Sequence, residues 1–421
     1  MLSLTRSPCR HRRTAGSAAA LAAVCAVALS ACASSGSSGS SGTSAGTDPS
    51  AYRLMVFGEF SVGPGAQLPT AYSEIATGAE AAAAVINKAG GVNGHKVDIT
   101  VCDTKGSPNG ATSCAYQAVQ DKVVAVVGSL DLTGSYMSVL QQAGIPAIGP
   151  YAIAQTLVNT YSYPLYGGSA TNLAGSVSTL AKQGVKSISI VANQSAGLAA
   201  LAPLLKPVQQ HYPGLTISLD PIASTTVDLA PVVAQANRSD GIVLATNNAA
   251  TAVEFLKTEQ ESGVKKPIAA STTQVDQQLL AQAGSLLQQL NVRVVGAWLP
   301  STDTQNAAVA AFDRAMSAQD PSAAKDDFSM DSYASVELFS KVAGGLSEVT
   351  SATVRSALAS VTASAPVNLG LVAPLQFATP SADASNLPRL FNPDVVIESV
   401  QDSKLVPANG KFVNAYSQQQ A

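Results

Sequence analysis

The chain has 421 residues and a formal net charge of −3, with 46% hydrophobic and only 12% charged residues. Beyond Arg13 no tract of Lys or Arg exists to neutralise phosphates, which excludes a nucleic-acid partner. The apolar content is enough for a large core, and the length suits two domains or one large one.

The amino terminus comes first. Arg6, Arg10, Arg12 and Arg13 precede an apolar stretch from Ala18 to Leu29, too short to span a bilayer and of the form of an export signal. It ends in Leu29-Ser30-Ala31-Cys32, which resembles the bacterial lipobox. That resemblance implies a signal over residues 1–31, cleavage before Cys32, lipid on its thiol, and an extracytoplasmic body anchored to the cell membrane through lipidated Cys32. Residues 32–50 are nearly all Ser, Gly, Ala and Thr and cannot bury enough surface to fold. They predict a flexible linker with an end-to-end distance of roughly 20–25 Å. No later apolar run approaches membrane length. Cys9 and Cys25 leave with the signal, so Cys102 and Cys114 remain in an oxidising compartment and predict a disulfide. A zinc pair is the alternative, but His95 and His211 are the only histidines left to complete it.

The body then alternates strands and helices. Strands are predicted at Arg53–Ser61, Lys96–Cys102, Val123–Gly128 and Ile145–Ile148, and helices at Glu74–Lys88, Asn109–Lys122 and Tyr136–Ala143. After a Pro- and Gly-rich break near Tyr163–Ser169 the rhythm restarts. Helices are predicted at Leu173–Gln183, Gly197–His211, Leu229–Ala236, Thr251–Ser262 and Gln277–Leu290. Strands fall at Ser187–Val191, Thr216–Asp220, Gly241–Ala245, Pro267–Ala270 and Val292–Trp298. A second break at Pro300–Thr304 leads to helices at Asn306–Ala318, Asp331–Ala343 and Ser351–Ser360, then strands at Asp394–Val400 and Lys404–Pro407. The pattern predicts an α/β protein of two similar parallel-sheet halves with right-handed crossovers.

Several segments, in order, resemble type I periplasmic substrate-binding proteins of the branched-chain amino acid (Leu/Ile/Val) receptor group. Ala84–Asp103, AVINKAGGVNGHKVDITVCD, looks like that group's first helix, Gly-Gly turn and strand. Val123–Gly128 with Ser129 looks like its third strand and ligand loop, and Ala143-Gly144-Ile145-Pro146 with Gly149-Pro150 like its fourth. Gly263 with Lys266-Pro267, Gly296–Pro300 and Gln401–Val406 match the second lobe, the return crossing and the terminal hairpin. The resemblance implies two lobes joined by three hinge crossings, with residues 51–166 and 301–373 forming lobe 1 and residues 167–300 and 374–421 lobe 2. It also implies a ligand held between the lobes at the carboxyl ends of the sheets.

Loops after the strands should line that cleft. In lobe 1 these are Phe60-Ser61, Ser129-Leu130-Asp131 with Thr133, and Pro150-Tyr151-Ala152; in lobe 2, Asn193-Gln194-Ser195, Asn247-Asn248 and Thr272-Thr273-Gln274. Their hydroxyls and amides suit hydrogen bonds to a polar, largely uncharged solute, and Tyr151 could stack on a ring. Each could equally satisfy only its own loop. Amino-acid receptors of the group hold the ligand carboxylate with a Ser or Thr in the third-strand loop and a Thr after the fourth strand. They hold the ammonium with an acid and a Tyr in lobe 2. Here Leu132 and Ile153 stand at the first two places, Ser195-Ala196 precede Gly197 where the Tyr belongs, and Gln274 replaces the acid. An unpaired buried ammonium is costly, so a neutral or aromatic solute competes with an amino acid as the ligand.

No His-Glu-x-x-His, Gly-x-Ser-x-Gly or phosphate-loop pattern occurs, so no enzyme activity and no cofactor are expected, a hydrolase being the distant second class. Asp103-Thr104-Lys105-Gly106 fits a strand-end turn, His95 a hairpin, His211 a helix end, and Glu259, Glu261, Lys265 and Lys266 a solvated face. The expected protein is a monomeric, lipid-anchored solute-binding component of an ABC importer, partnered by a membrane permease. The alternative is a ligand-sensing or docking lipoprotein on the same fold.

Overall fold

The computed structural model describes residues 50–63, 71–195, 198, 201–223, 225–246, 248–384 and 386–420. Cys32, the signal and Asn247 lie outside the described residues.

Strand β1 (Tyr52–Gly58) is the hub of the first sheet, with Leu54, Met55, Val56 and Phe57 all fully buried. A run buried on both faces marks a central strand of a parallel sheet. It pairs in parallel with β2 (Val97–Asp103) on one side and β3 (Ala125–Val127) on the other. Strands β4 (Ala147–Ile148) and β5 (Ser162–Tyr163) complete the order β2-β1-β3-β4-β5. Helix α1 (Glu74–Lys88) buries Ile75, Ala79 and Ala82 on the Leu54 and Val56 face. Helices α2 (Pro108–Gln120) and α3 (Met137–Ala143) cover Met55 and Phe57 on the other. Cys102 of β2 and Cys114 of α2 form a disulfide with their Cα atoms 5.7 Å apart.

The chain then enters the second lobe through α4 (Gly168–Lys182). Strands β6 (Ser187–Asn193), β7 (Thr216–Ile222), β8 (Gly241–Ala245), β9 (Ile268–Ser271) and β10 (Arg293–Gly296) run parallel to their neighbours. The later strands β11 (Asp394–Gln401) and β12 (Lys404–Asn414) add an antiparallel edge, giving the order β12-β11-β10-β9-β8-β6-β7. Ile188 and Ile190 pack on the α4 face with α5 (Leu201–Leu204) and α6 (Lys206–His211) close by. Val191, Ile242 and Leu244 pack toward α7 (Ala230–Ala236), α8 (Ala249–Ser262) and α9 (Gln277–Gln289). After β10 the chain returns to the first lobe as α10 (Ala307–Gln319), α11 (Asp327–Ala343) and α12 (Ser351–Ala359), then passes back to β11. Helix α11 lies along α1 and against the ends of β3 and β4.

That close approach explains two glycines. A Cβ on Gly128 would collide with the Ser332 backbone, and one on Gly149 with the Ser335 hydroxyl; both residues have positive φ, +53° and +62°. Only glycine combines that backbone with so near a helix.

Five local expectations are corrected. The helix expected over Gly197–His211 is described as two short pieces, because Pro207 has no N–H to give and occupies the first turn of α6. Helix α11 begins one turn before Asp331: Asp326 caps it and Ser329 completes a capping box. The break near Tyr163 contains the short edge strand β5, and β12 runs on past Pro407, which an edge strand tolerates. Glu259 is not solvated: it shares the buried face of α8 with Phe255 and Leu256, and its Oε2 accepts a bond from Asn237 at 2.7 Å.

Candidate functional site

The carboxyl ends of β1, β3 and β4 in the first lobe, and of β6, β8 and β9 in the second, open into the loops expected to line the cleft. On the first lobe, Asp103 gathers the β1 loop. Its Oδ1 accepts from the backbone N–H groups of Phe60 (3.1 Å), Ser61 (3.2 Å) and Lys105 (2.9 Å), and its Oδ2 from the Ser61 hydroxyl. Phe60 and Ser61 are therefore fixed, with Ser61 exposed. Ser129 accepts from the Phe57 N–H at 3.3 Å and is buried, as is Leu130, whose side chain belongs to the core. Asp131 is fully buried; its Oδ1 accepts from the Thr133 N–H and hydroxyl and from the Gly134 N–H. Burial raises its pKa despite those bonds. Pro150 is buried, and Ala152 meets the start of α4.

On the second lobe, Asn193 accepts from the Thr246 hydroxyl at 2.7 Å. Gln194 and Ser195 are exposed, and Asn248 caps α8 by accepting from the Thr251 N–H. Thr273 and Gln274 are both bonded to Ser271. The polar groups of most of the expected residues serve their own loops.

Among the contacts that cross from lobe to lobe, two involve hydroxyls beside the strand ends. The Thr272 hydroxyl, after β9, donates to Asp327 Oδ2 of α11 at 2.5 Å. The Tyr151 hydroxyl lies 2.6 Å from Ser169 Oγ in the first turn of α4. Tyr151 also begins a chain of rings. Its centroid is 6.0 Å from Phe328 and 6.3 Å from Tyr166; Phe328 is 5.2 Å from Tyr72, and Tyr166 5.7 Å from the fully buried Trp298.

Asp327, which meets Thr272, is an acid that the sequence reading did not name. Burial pushes its carboxyl up to about 7; the Thr272 bond works against that and Asp326 adds to it. Asp331, one turn on and on the same face, is raised well above the usual range by burial and then by Asp327. Glu398 of β11 is fully buried and raised for the same two reasons. These residues, with Phe328, Tyr166 and Asn172 of α4, escaped the sequence reading. The signal was present in Asp326-x-x-Ser329, whose capping pattern starts the helix at Asp327 and sets Asp327 and Asp331 on one face. Among the described residues no group of three His, Cys, Asp or Glu side chains is arranged to hold a metal, and no helix is long and apolar enough to cross a membrane.

Comparison with known proteins agrees with this architecture. The family model described as "Periplasmic binding protein" matches residues 62–386. A 96-residue stretch is 38% identical to Leu/Ile/Val-binding protein homolog 3 of Brucella melitensis, covering 21% of this chain and 26% of the relative's length. The fatty acid ABC transporter substrate-binding protein from Thermomonospora curvata superposes with a TM-score of 0.68 at 17% identity, over 89% of this chain and 96% of that one. A branched-chain amino acid transporter substrate-binding protein from Streptococcus pneumoniae, in complex with isoleucine, gives 0.62 at 18% identity, over 84% and 97%.

Proposed function

Because the chain belongs to the periplasmic binding protein family, whose members are extracytoplasmic solute receptors and not enzymes, we propose that it is an exported, lipid-anchored receptor handing a small polar solute to an ABC permease. The observation that carries this reading is the meeting of two parallel-sheet lobes at their carboxyl ends, where Thr272 bonds to Asp327. The solute enters between the lobes, which turn about the three chain passages between them and close on it. Contacts made only in the closed form would stabilise closure, and the contacts Thr272–Asp327 and Tyr151–Ser169 that join the lobes support this reading. Residues 51–166 with 301–373 form one lobe, and 167–300 with 374–421 the other. The closed monomer docks on the permease while Cys32 holds it at the membrane.

A thermal-shift screen of the full chain against amino acids, amides, short acids, sugars and aromatics tests the reading. A true ligand at a hundredfold over its Kd stabilises by about 2.7 kcal/mol. Silence across the panel from folded protein would favour the docking role. For the anchor, Cys32→Ala in the producing cell should abolish incorporation of labelled palmitate and release the protein from the membrane. Labelling that persists in the variant would remove the lipobox reading.

A further inference from the structure

Carboxyl groups are gathered around the start of α11. Asp327 and Asp331 lie one turn apart on α11, and the charged groups that act on them and on Glu398 are other carboxyl groups. Asp331 is 5% exposed, and its Oδ1 has no hydrogen-bond partner among the described residues. Beside this face stand the rings of Tyr151, Phe328 and Tyr166.

A separate observation comes from the opposite lobe. Asn172 of α4 is fully buried, and among the described residues neither its Oδ1 nor its Nδ2 has a partner. It lies three residues after Ser169, which touches Tyr151, and four before Ser176, whose hydroxyl donates to the Ala270 carbonyl of β9 at 3.2 Å. All three share one face of α4. Asn172 is thereby set between Tyr151 and the end of β9, where Thr272 meets Asp327.

Building on the solute-binding reading, we propose that the solute is a cation: an organic amine or ammonium ion whose nitrogen sits between Asp331 and Asp327 on one lobe and the Asn172 carboxamide on the other, against the faces of Tyr151 and Phe328. Ring faces attract cations, more strongly once water is excluded. The carboxamide oxygen and the free carboxylate oxygen both accept N–H bonds from such a nitrogen. A solute carrying only a carboxylate would meet like charge in a site of low dielectric.

The test is titration calorimetry and thermal shift of the full chain with 2-phenylethylamine, tetramethylammonium and putrescine, beside the neutral 2-phenylethanol, the anionic phenylacetate, and leucine. The amines should stabilise, with 2-phenylethylamine binding about tenfold or more tightly than 2-phenylethanol and phenylacetate giving no shift. Asp331→Asn should erase that preference, and Asn172→Leu should weaken amine binding. If Asp331→Asn fails to fold, Asp327→Asn reads the same preference. Stabilisation by phenylacetate, leucine or 2-phenylethanol as strong as by any amine overturns the cationic assignment and leaves the solute-binding role standing. A tenfold preference that survives both Asp variants overturns the assignment to these residues. Silence from every probe overturns the cationic assignment, and only silence across the wider screen as well reaches the receptor role.

Discussion

At Asp327 a single carboxyl group answers to both lobes, and its titration should be visible in stability. An unfolded Asp ionises near pH ~4, whereas Asp327 keeps its proton to about 7 because burial outweighs the Thr272 bond. Between those values the native state binds more protons than the unfolded chain, so its contribution to stability falls as pH rises through the window and is level above it. Asp327→Asn retains an acceptor for Thr272 and removes the ionisation. Urea unfolding should show the variant gaining on the parent between about pH 4 and about pH 7, by about 1–2 kcal/mol given that the residue is only half-buried. A difference that stays constant with pH would show that Asp327 does not titrate in this way. This residue was legible only after its helix start was known. Leu130 and Asn248 show the opposite difficulty: both are named rightly by loop position, yet one is core and the other a helix cap. Spacing places a residue on a loop, but the direction of its side chain depends on partners distant in sequence.

At the scale of elements, α11 is the piece that makes the first lobe whole. Its approach to β3 and β4 depends on residues without a Cβ, so Gly128→Ala should destabilise by about 3 kcal/mol or more, combining overpacking with a strained φ. Gly144→Ala is the control: its φ is +75°, but a Cβ there meets nothing within 4 Å, so the loss should be about 1–2 kcal/mol. Equal losses for the two in chemical denaturation would show that the helix can move away. The strands and most helices could be read from periodicity because buried parallel strands such as Leu54–Phe57 are continuous apolar runs, and α1 is bounded by Glu74 and by the glycines after Lys88. Apart from the start of α11, the elements misread were short or proline-bearing. Two-residue β5 has no periodicity to detect, and Pro207 divides an otherwise helical stretch.

For the whole molecule, the proposed turning of one lobe on the other can be tested at the Thr272–Asp327 contact. Thr272→Val removes the donor to Asp327 without changing shape. A bond of this kind contributes about 1–2 kcal/mol, so the separated population should rise roughly five- to thirtyfold. Small-angle X-ray scattering should register a larger radius of gyration, and an unchanged profile would mean that other contacts hold the lobes. The same architecture bears on how the chain is made. Helix α11 packs along α1, yet it follows every parallel strand of the second sheet in sequence. A ribosome releasing the chain from its amino terminus therefore delivers β1 to β5 long before their covering helix exists. Through that interval the face of Leu54 and Val56 has α1 over it but not α11, and pairings so distant in sequence form slowly. The nascent protein is therefore most open to proteases and to wrong association while its second half is still being synthesised.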